Sequence, residues 1–150
     1  MATKKNSTDL DLVRMYYEHQ YDRIEKDEIH RSTMSNYVLT LSVLVFTFGF
    51  QNSLQLTVVN GIGLPMIIII ANIAAISNIG YTAMFIDIHR DRAHEILQRY
   101  APELNKVDDT HNFNISILYG RRSVEKIVHQ LLILIALVPF GLFLYQTILK

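Results

Sequence analysis

The 150-residue sequence contains no cysteine, so disulfides, thiol catalysis and cysteine-ligated metal are excluded. It also has no net charge, because 14 Lys and Arg balance 14 Asp and Glu, and bulk electrostatics give no reason to expect a nucleic-acid partner. No proline precedes Pro65 and no glycine precedes Gly49. Because both residues interrupt helices, their absence predicts one helix from about Asp9 to Phe50.

Charge is absent from three long stretches, namely Tyr37–Phe50, Ile62–Ile86 and Ile127–Leu149. A helix needs about 20 apolar residues to cross a bilayer; the second and third stretches reach that length, and the first does so with its neighbours. We therefore predict an all-α fold with three transmembrane helices in a single membrane domain. Its predicted parts are a cytoplasmic helix at 1–32, the first span and outer turn at 33–59, the second span at 62–86, a cytoplasmic helix and loop at 87–126, and the third span at 127–149.

The basic residues predict the orientation. Thirteen of the fourteen Lys and Arg lie in residues 1–35 and 87–126, and the connection 51–61 has none. The positive-inside rule places the first two segments in the cytoplasm, and the turn and the C-terminus outside. The first two spans then form a hairpin with cytoplasmic extensions, and Pro102 ends the second extension. Acid–base spacing predicts the ion pairs Asp22–Lys26, Asp27–Arg31 and Glu95–Arg99. We expect residues 103–114 to form a loop. Residues 113–119 are ambiguous between a short strand and a helical turn, and a third helix is expected to start at about 121–123.

The tetrapeptides EIHR (28–31) and DIHR (87–90) flank the predicted hairpin. One precedes the first span and the other follows the second, so both would lie at the inner edge of the membrane. Arginine suits that depth, since its charged head reaches lipid phosphates while its stem stays apolar. We therefore predict membrane-edge roles for His30, Arg31, His89 and Arg90.

Histidines suggest three further hypotheses. Asp27-x-x-His30 and Asp91-x-x-His94 follow the spacing of carboxylate–histidine pairs in di-iron bundles, but such sites need two more buried carboxylates. We therefore expect no metal and no cofactor, and a solvated helix face is the simpler interpretation; titration as a pH sensor is an open alternative.

The spacing of Arg122 and His129 matches the loose arginine–histidine pattern of HEPN ribonucleases. Two other arginine–histidine pairs in this chain match it as well, so the pattern has little weight. No nucleophile elbow, phosphate loop or zinc-protease motif occurs. We predict that the protein is not an enzyme.

Small and polar residues recur at helical spacing within the first two spans, at Asn36, Thr40 and Thr47, and at Ala71, Ala75, Asn78 and Thr82. Such stripes let helices approach closely and form hydrogen bonds in a membrane. They could serve packing between the two helices of one chain. They could instead line a pore or face neighbouring subunits, and because three helices are too few to enclose a pore, that interpretation requires a homo-oligomer.

Two segments carry a resemblance to known proteins: MYYEHQYDRIEKDEIHRSTMSNYVLTLSVLVFTFGF at 15–50 and YTAMFIDIHRDRAHEIL at 81–97. This layout resembles small prokaryotic membrane effectors of phage defence, namely SLATT-type proteins, the RipA family of octameric membrane proteins and the membrane accessory of type VI CRISPR systems. The resemblance implies a ring-like oligomer, with eight subunits as one candidate number, in the bacterial inner membrane.

These observations predict an oligomeric effector that permeabilises or depolarises the inner membrane. Its expected partners are the lipid bilayer, further copies of itself and a cytoplasmic defence-system protein. Two alternatives are a non-conducting scaffold that docks a cytoplasmic partner, and a membrane-bound HEPN-like nuclease.

Overall fold

The computed structural model describes residues 7–51, 57–102 and 112–149, and their side chains at 10–49, 51, 57–102 and 120–149. Three long helices account for most of them: α1 (Ser7–Phe50), α2 (Leu64–Tyr100) and α3 (Asn112–Ile148). A π-helical turn, Val59–Gly63, precedes α2. All three helices are long and apolar enough to cross a membrane. The prediction of an all-α fold with three such helices is confirmed.

Local sequence explains where the helices begin and end. Helix α1 is uninterrupted over 44 residues, and the predicted Asp22–Lys26 pair is present at 2.7 Å between the carboxylate and ammonium groups. Pro65 lies in the first turn of α2, directly after the π-helical turn, and α2 ends two residues before Pro102. Helix α3 continues through Pro139.

The prediction for the start of the third helix was wrong. Helix α3 begins at Asn112, about nine residues before the predicted start, so 112–119 form neither a loop nor a strand. Gly120 suggested a boundary, but a single internal glycine costs a helix only about 1 kcal/mol, which a long helix absorbs. The rest of the predicted loop, 103–111, lies outside the described residues.

The chain divides into two compact units. Unit 1 contains residues 1–30 and 81–119, and unit 2 contains residues 31–80 and 120–150. In unit 1, α1 and α2 are antiparallel, because Gln20 bonds to His89 and Tyr16, which is earlier in α1, lines a cavity with Ile96 and Tyr100, which are later in α2. Ile86, Ala93 and Leu97 form the buried apolar part of this pair.

In unit 2, α1 and α3 run parallel and α2 runs antiparallel to both. Two contacts show that α1 and α3 are parallel: Arg31 pairs with Glu125, Ser35 bonds to His129, and both pairs are 94 residues apart. Between α1 and α2, Ser42 meets Asn72. Helix α3 approaches the turn before α2 closely at Gly61, where an added Cβ atom would lie 2.5–2.7 Å from three side-chain atoms of Phe143. Only a residue without a side chain fits this contact.

The surface of unit 2 is apolar. Large side chains on the outward faces of its helices are about half exposed or more, for example Phe48 on α1, Ile70 on α2 and Leu134 on α3. Water-soluble monomers rarely expose apolar patches of this extent. Its interior, by contrast, contains buried arginine, serine, asparagine and histidine side chains beside small and aliphatic ones. An apolar exterior around a partly polar interior is the distribution expected of helices surrounded by lipid.

Candidate functional site: a buried polar network in unit 2

A line of polar side chains runs through the interior of unit 2. We call it the buried polar network, and its members are Arg31, Ser35 and Ser42 of α1, Asn72 of α2, and Glu125 and His129 of α3. Steps of four and seven residues along α1, and of four along α3, keep the members of each helix on one face. All three helices of unit 2 therefore contribute to one set of hydrogen bonds.

An ion pair forms one end of the network. The Arg31 guanidinium, which is fully buried, binds the Glu125 carboxylate. Arg121 lies on the same side, with its Nε 3.5 Å from Glu125 Oε1 and its Nη2 donating to Ser32 Oγ at 3.3 Å. This arrangement differs from two predictions, since Arg31 pairs with α3 and not with Asp27 of its own helix, and its head points into protein and not toward lipid phosphate.

His129 is the centre of the network and bonds through both ring nitrogens. Its Nε2 lies 2.9 Å from Ser35 Oγ, and its Nδ1 lies 2.6 Å from Asn72 Oδ1. The Asn72 amide nitrogen donates to Ser42 Oγ at 2.9 Å and to the carbonyl oxygen of Ile68 at 2.8 Å. Asn72 Oδ1 is therefore the acceptor of the bond with His129. The neutral imidazole then has its hydrogen on Nδ1, and its Nε2 accepts a hydrogen bond from the Ser35 hydroxyl.

The order serine, histidine, asparagine is also the connectivity of a nucleophile, its base and the group that orients the base. Burial argues against that chemistry here. Ser35 is 3% exposed, and His129 and Asn72 are each 0% exposed, so a substrate could reach Ser35 Oγ only if the helices separated. The network instead aligns the three helices of unit 2. His129 of α3 bonds to both α1 and α2, and these bonds fix the register of the helices.

The predicted stripe residues divide into two groups. Asn36, Thr40 and Thr47 of α1 face outward and are exposed, and the Thr47 hydroxyl donates to the carbonyl oxygen of Val43 in its own helix. On α2, Ala75 is buried within unit 2 and Thr82 within unit 1, whereas Ala71 and Asn78 are half-buried. Packing within the chain thus accounts for Ala75 and Thr82. The α1 residues remain available to another molecule.

The two repeated tetrapeptides have different environments. In EIHR, His30 is exposed and Arg31 is buried in the network. In DIHR, both basic residues are half-buried; His89 Nδ1 bonds to Gln20 Oε1 at 2.7 Å and Arg90 pairs with Asp87 at 3.2 Å. Two closely similar tetrapeptides therefore have different contacts. Their depth in a membrane stays a prediction.

The metal and HEPN hypotheses gain no site from the structure. Within 7–51, 57–102 and 112–149, no group of three or more His, Asp or Glu side chains is arranged to hold a metal ion. Arg122 and His129, which match the HEPN spacing, are both buried, and both nitrogens of His129 are occupied by Ser35 and Asn72. A nucleic acid could not contact this pair in the described arrangement.

Sequence reasoning missed most of the network. It selected the stripe of α2 that begins at Ala71 and overlooked Asn72, the next residue, which lies among isoleucines. A signal was present, because Ile68, Asn72, Ala75 and Ile79 recur at steps of four, three and four, and all four are buried. Ser35 and Ser42 are likewise one heptad apart.

No known protein family, curated protein or solved structure matches this chain.

Proposed function

We propose that this protein forms a homo-oligomer in the bacterial inner membrane and permeabilises or depolarises that membrane. In this proposal the N-terminus and unit 1 lie in the cytoplasm and the C-terminus lies in the periplasm, as the positions of lysine and arginine predict. The resemblance to small phage-defence effectors supplies the biological setting.

The observation that carries the proposal is the set of polar side chains on the outer surface of the helices that are apolar enough to span a membrane. Asn36 and Thr40 of α1 and Gln130 of α3 are all exposed on a single chain. An amide left in hydrocarbon without a partner is costly. A neighbouring subunit or water between subunits would supply partners for these groups, and an oligomer offers both.

A single copy offers no path for ions through unit 2. Its three helices meet at the buried polar network, where Arg31, Asn72 and His129 are fully buried and hydrogen-bonded to one another or to neighbouring helices. Three packed helices are too few to surround a pore. A conducting path would lie between several copies around a common axis, lined by outward-facing polar residues such as Asn36 and Thr40.

The test uses variants of the outward face. Asn36→Leu and Thr40→Val remove polar groups from α1 without touching the buried polar network. We expect both variants to lower propidium iodide uptake and to restore membrane potential in cells that overexpress the protein. The reason is that the contact between subunits, or the water-filled path between them, loses its polar atoms. Membrane fractions should contain the same amount of each variant as of the unaltered protein.

Ile70→Leu is the matched control, since Ile70 is an exposed apolar residue of α2 and the change alters no polarity. It should permeabilise cells like the unaltered protein. If Asn36→Leu and Thr40→Val also keep full permeabilisation, this face is not the working surface. If the unaltered protein depolarises no cells under any stimulus tried, the effector proposal fails.

A second candidate function is a non-conducting scaffold, and the surface of unit 1 favours it. Leu12, Met15 and Ile29 of α1 are 55–61% exposed in a segment that the orientation places in the cytoplasm. Exposed apolar side chains at this density are typical of surfaces that bind another protein. Normal membrane potential during overexpression would favour this candidate over the first.

A further inference from the structure

Unit 1 contains a surface cavity that neither the buried polar network nor the proposed subunit contact uses. Its volume is about 160 Å³. One wall is formed by Arg92 of α2 and the residues three, four, seven and eight positions after it. Tyr16 of α1 forms the other side. The lining residues are Tyr16, Arg92, Glu95, Ile96, Arg99 and Tyr100.

Two other arginines of unit 1 have acidic partners. Arg14 pairs with Glu18 at 2.8 Å and Arg90 with Asp87 at 3.2 Å. Among the residues whose side chains are described, neither Arg92 nor Arg99 forms an ion pair, so the predicted Glu95–Arg99 pair was wrong. Within the described part of unit 1, the cavity thus has two guanidinium groups without a carboxylate partner, and one carboxylate, that of Glu95.

We propose that this cavity binds the phosphate group of a phosphate ester. Guanidinium groups bind phosphate through paired, charge-assisted hydrogen bonds, and two of them face one cavity here. Tyr16 adds a hydroxyl group that can donate to a phosphate oxygen, and the rings of Tyr16 and Tyr100 can contact the rest of the ligand. At about 160 Å³ the cavity is smaller than the roughly 300–1,000 Å³ of pockets that enclose a whole drug-sized ligand, so it holds the phosphate and leaves the remainder outside.

Phosphate esters could reach this cavity from two sources, namely soluble nucleotides and anionic lipid headgroups. The full-length protein in a neutral detergent is therefore titrated separately with ATP and with dihexanoylphosphatidylglycerol, and with adenosine as the phosphate-free probe. We expect one or both phosphate esters to bind and adenosine not to bind. Binding of ATP alone identifies a soluble ligand, and binding of the lipid alone identifies a headgroup.

Variants then locate the binding. Arg92→Gln with Arg99→Gln should weaken binding by at least about tenfold, because both charge-assisted contacts are lost. Arg14→Gln removes the same charge from the same unit at an exposed residue that does not line the cavity and already pairs with Glu18, and it should change affinity by less than about twofold. Each single glutamine variant should show a smaller loss, which keeps the test decisive if the double variant does not fold.

Three results would overturn the proposal: no binding of either phosphate ester, equal binding of adenosine, or equal weakening by Arg14→Gln and the double variant. The measurement requires no leak across a membrane. The phosphate site and the permeabilising function can therefore fail independently of each other.

Discussion

Asn72→Leu tests the buried polar network most sharply. The change keeps a side chain of similar size in the interior of unit 2 but removes the hydrogen bonds from Asn72 to His129 and to Ser42. Polar pairs between membrane helices are worth about 0.6 kcal/mol on average and about 1.7 kcal/mol at most. Loss of two such pairs should lower the free energy of unfolding by about 1–2 kcal/mol.

Thermal unfolding of the purified protein in detergent measures this loss. For chains of roughly this size, 1 kcal/mol corresponds to about 2–4 °C in Tm, so Asn72→Leu should unfold about 2–8 °C below the unaltered protein. The matched control is Asn78→Leu, the same chemical change on the same helix at a half-buried position outside the network. It should unfold within about 1 °C of the unaltered protein, by the same scaling.

Two outcomes would refute this reasoning. If Asn72→Leu unfolds at the temperature of the unaltered protein, the hydrogen bonds of the network do not stabilise the fold. If Asn72→Leu and Asn78→Leu lower Tm equally, the loss comes from placing leucine in α2 and not from the network.

The same unfolding measurement tests two other features. Arg31→Ala should cost up to about 3–5 kcal/mol because it removes a fully buried partner from the Glu125 carboxylate, which keeps only the 3.5 Å contact with the exposed Arg121. Arg90→Ala breaks a half-exposed local pair and should cost at most about 1 kcal/mol, and equal losses would contradict the structure. Gly61→Ala should cost about 1–3 kcal/mol because its Cβ would collide with Phe143. Gly80→Ala, whose Cβ would meet no described atom within 4 Å, should be neutral or stabilise α2 by up to about 1 kcal/mol, and the reverse order would be inconsistent with the packing at Gly61.

The architecture was readable from the sequence because it depends on local features. The absence of proline and glycine before Gly49 predicted α1, and Pro65 and Pro102 predicted the ends of α2. The start of α3 was not readable in this way. Gly120 resembles a boundary in a short window, but a helix of 37 residues tolerates it, and that tolerance is visible only when the whole helix is present.

The buried polar network depends on contacts between distant positions, and these are invisible along the chain. Arg31 and Glu125 are 94 residues apart, as are Ser35 and His129. An acid four residues before Arg31 predicted a pair within α1, whereas the parallel packing of α1 and α3 supplied another carboxylate. The outward position of Asn36 likewise follows from which face of α1 meets the other helices, and hydrophobic periodicity alone did not select that face.

The central claim, that this chain works as a homo-oligomer, is tested most directly by the mass of the purified protein in detergent. Light scattering with subtraction of the bound detergent gives the protein mass of the complex. The account predicts one defined protein mass that is a whole-number multiple, greater than one, of the 17.3 kDa chain, and about 138 kDa if eight chains assemble. A protein mass of 17.3 kDa at every concentration and in every detergent that keeps the protein folded would contradict it.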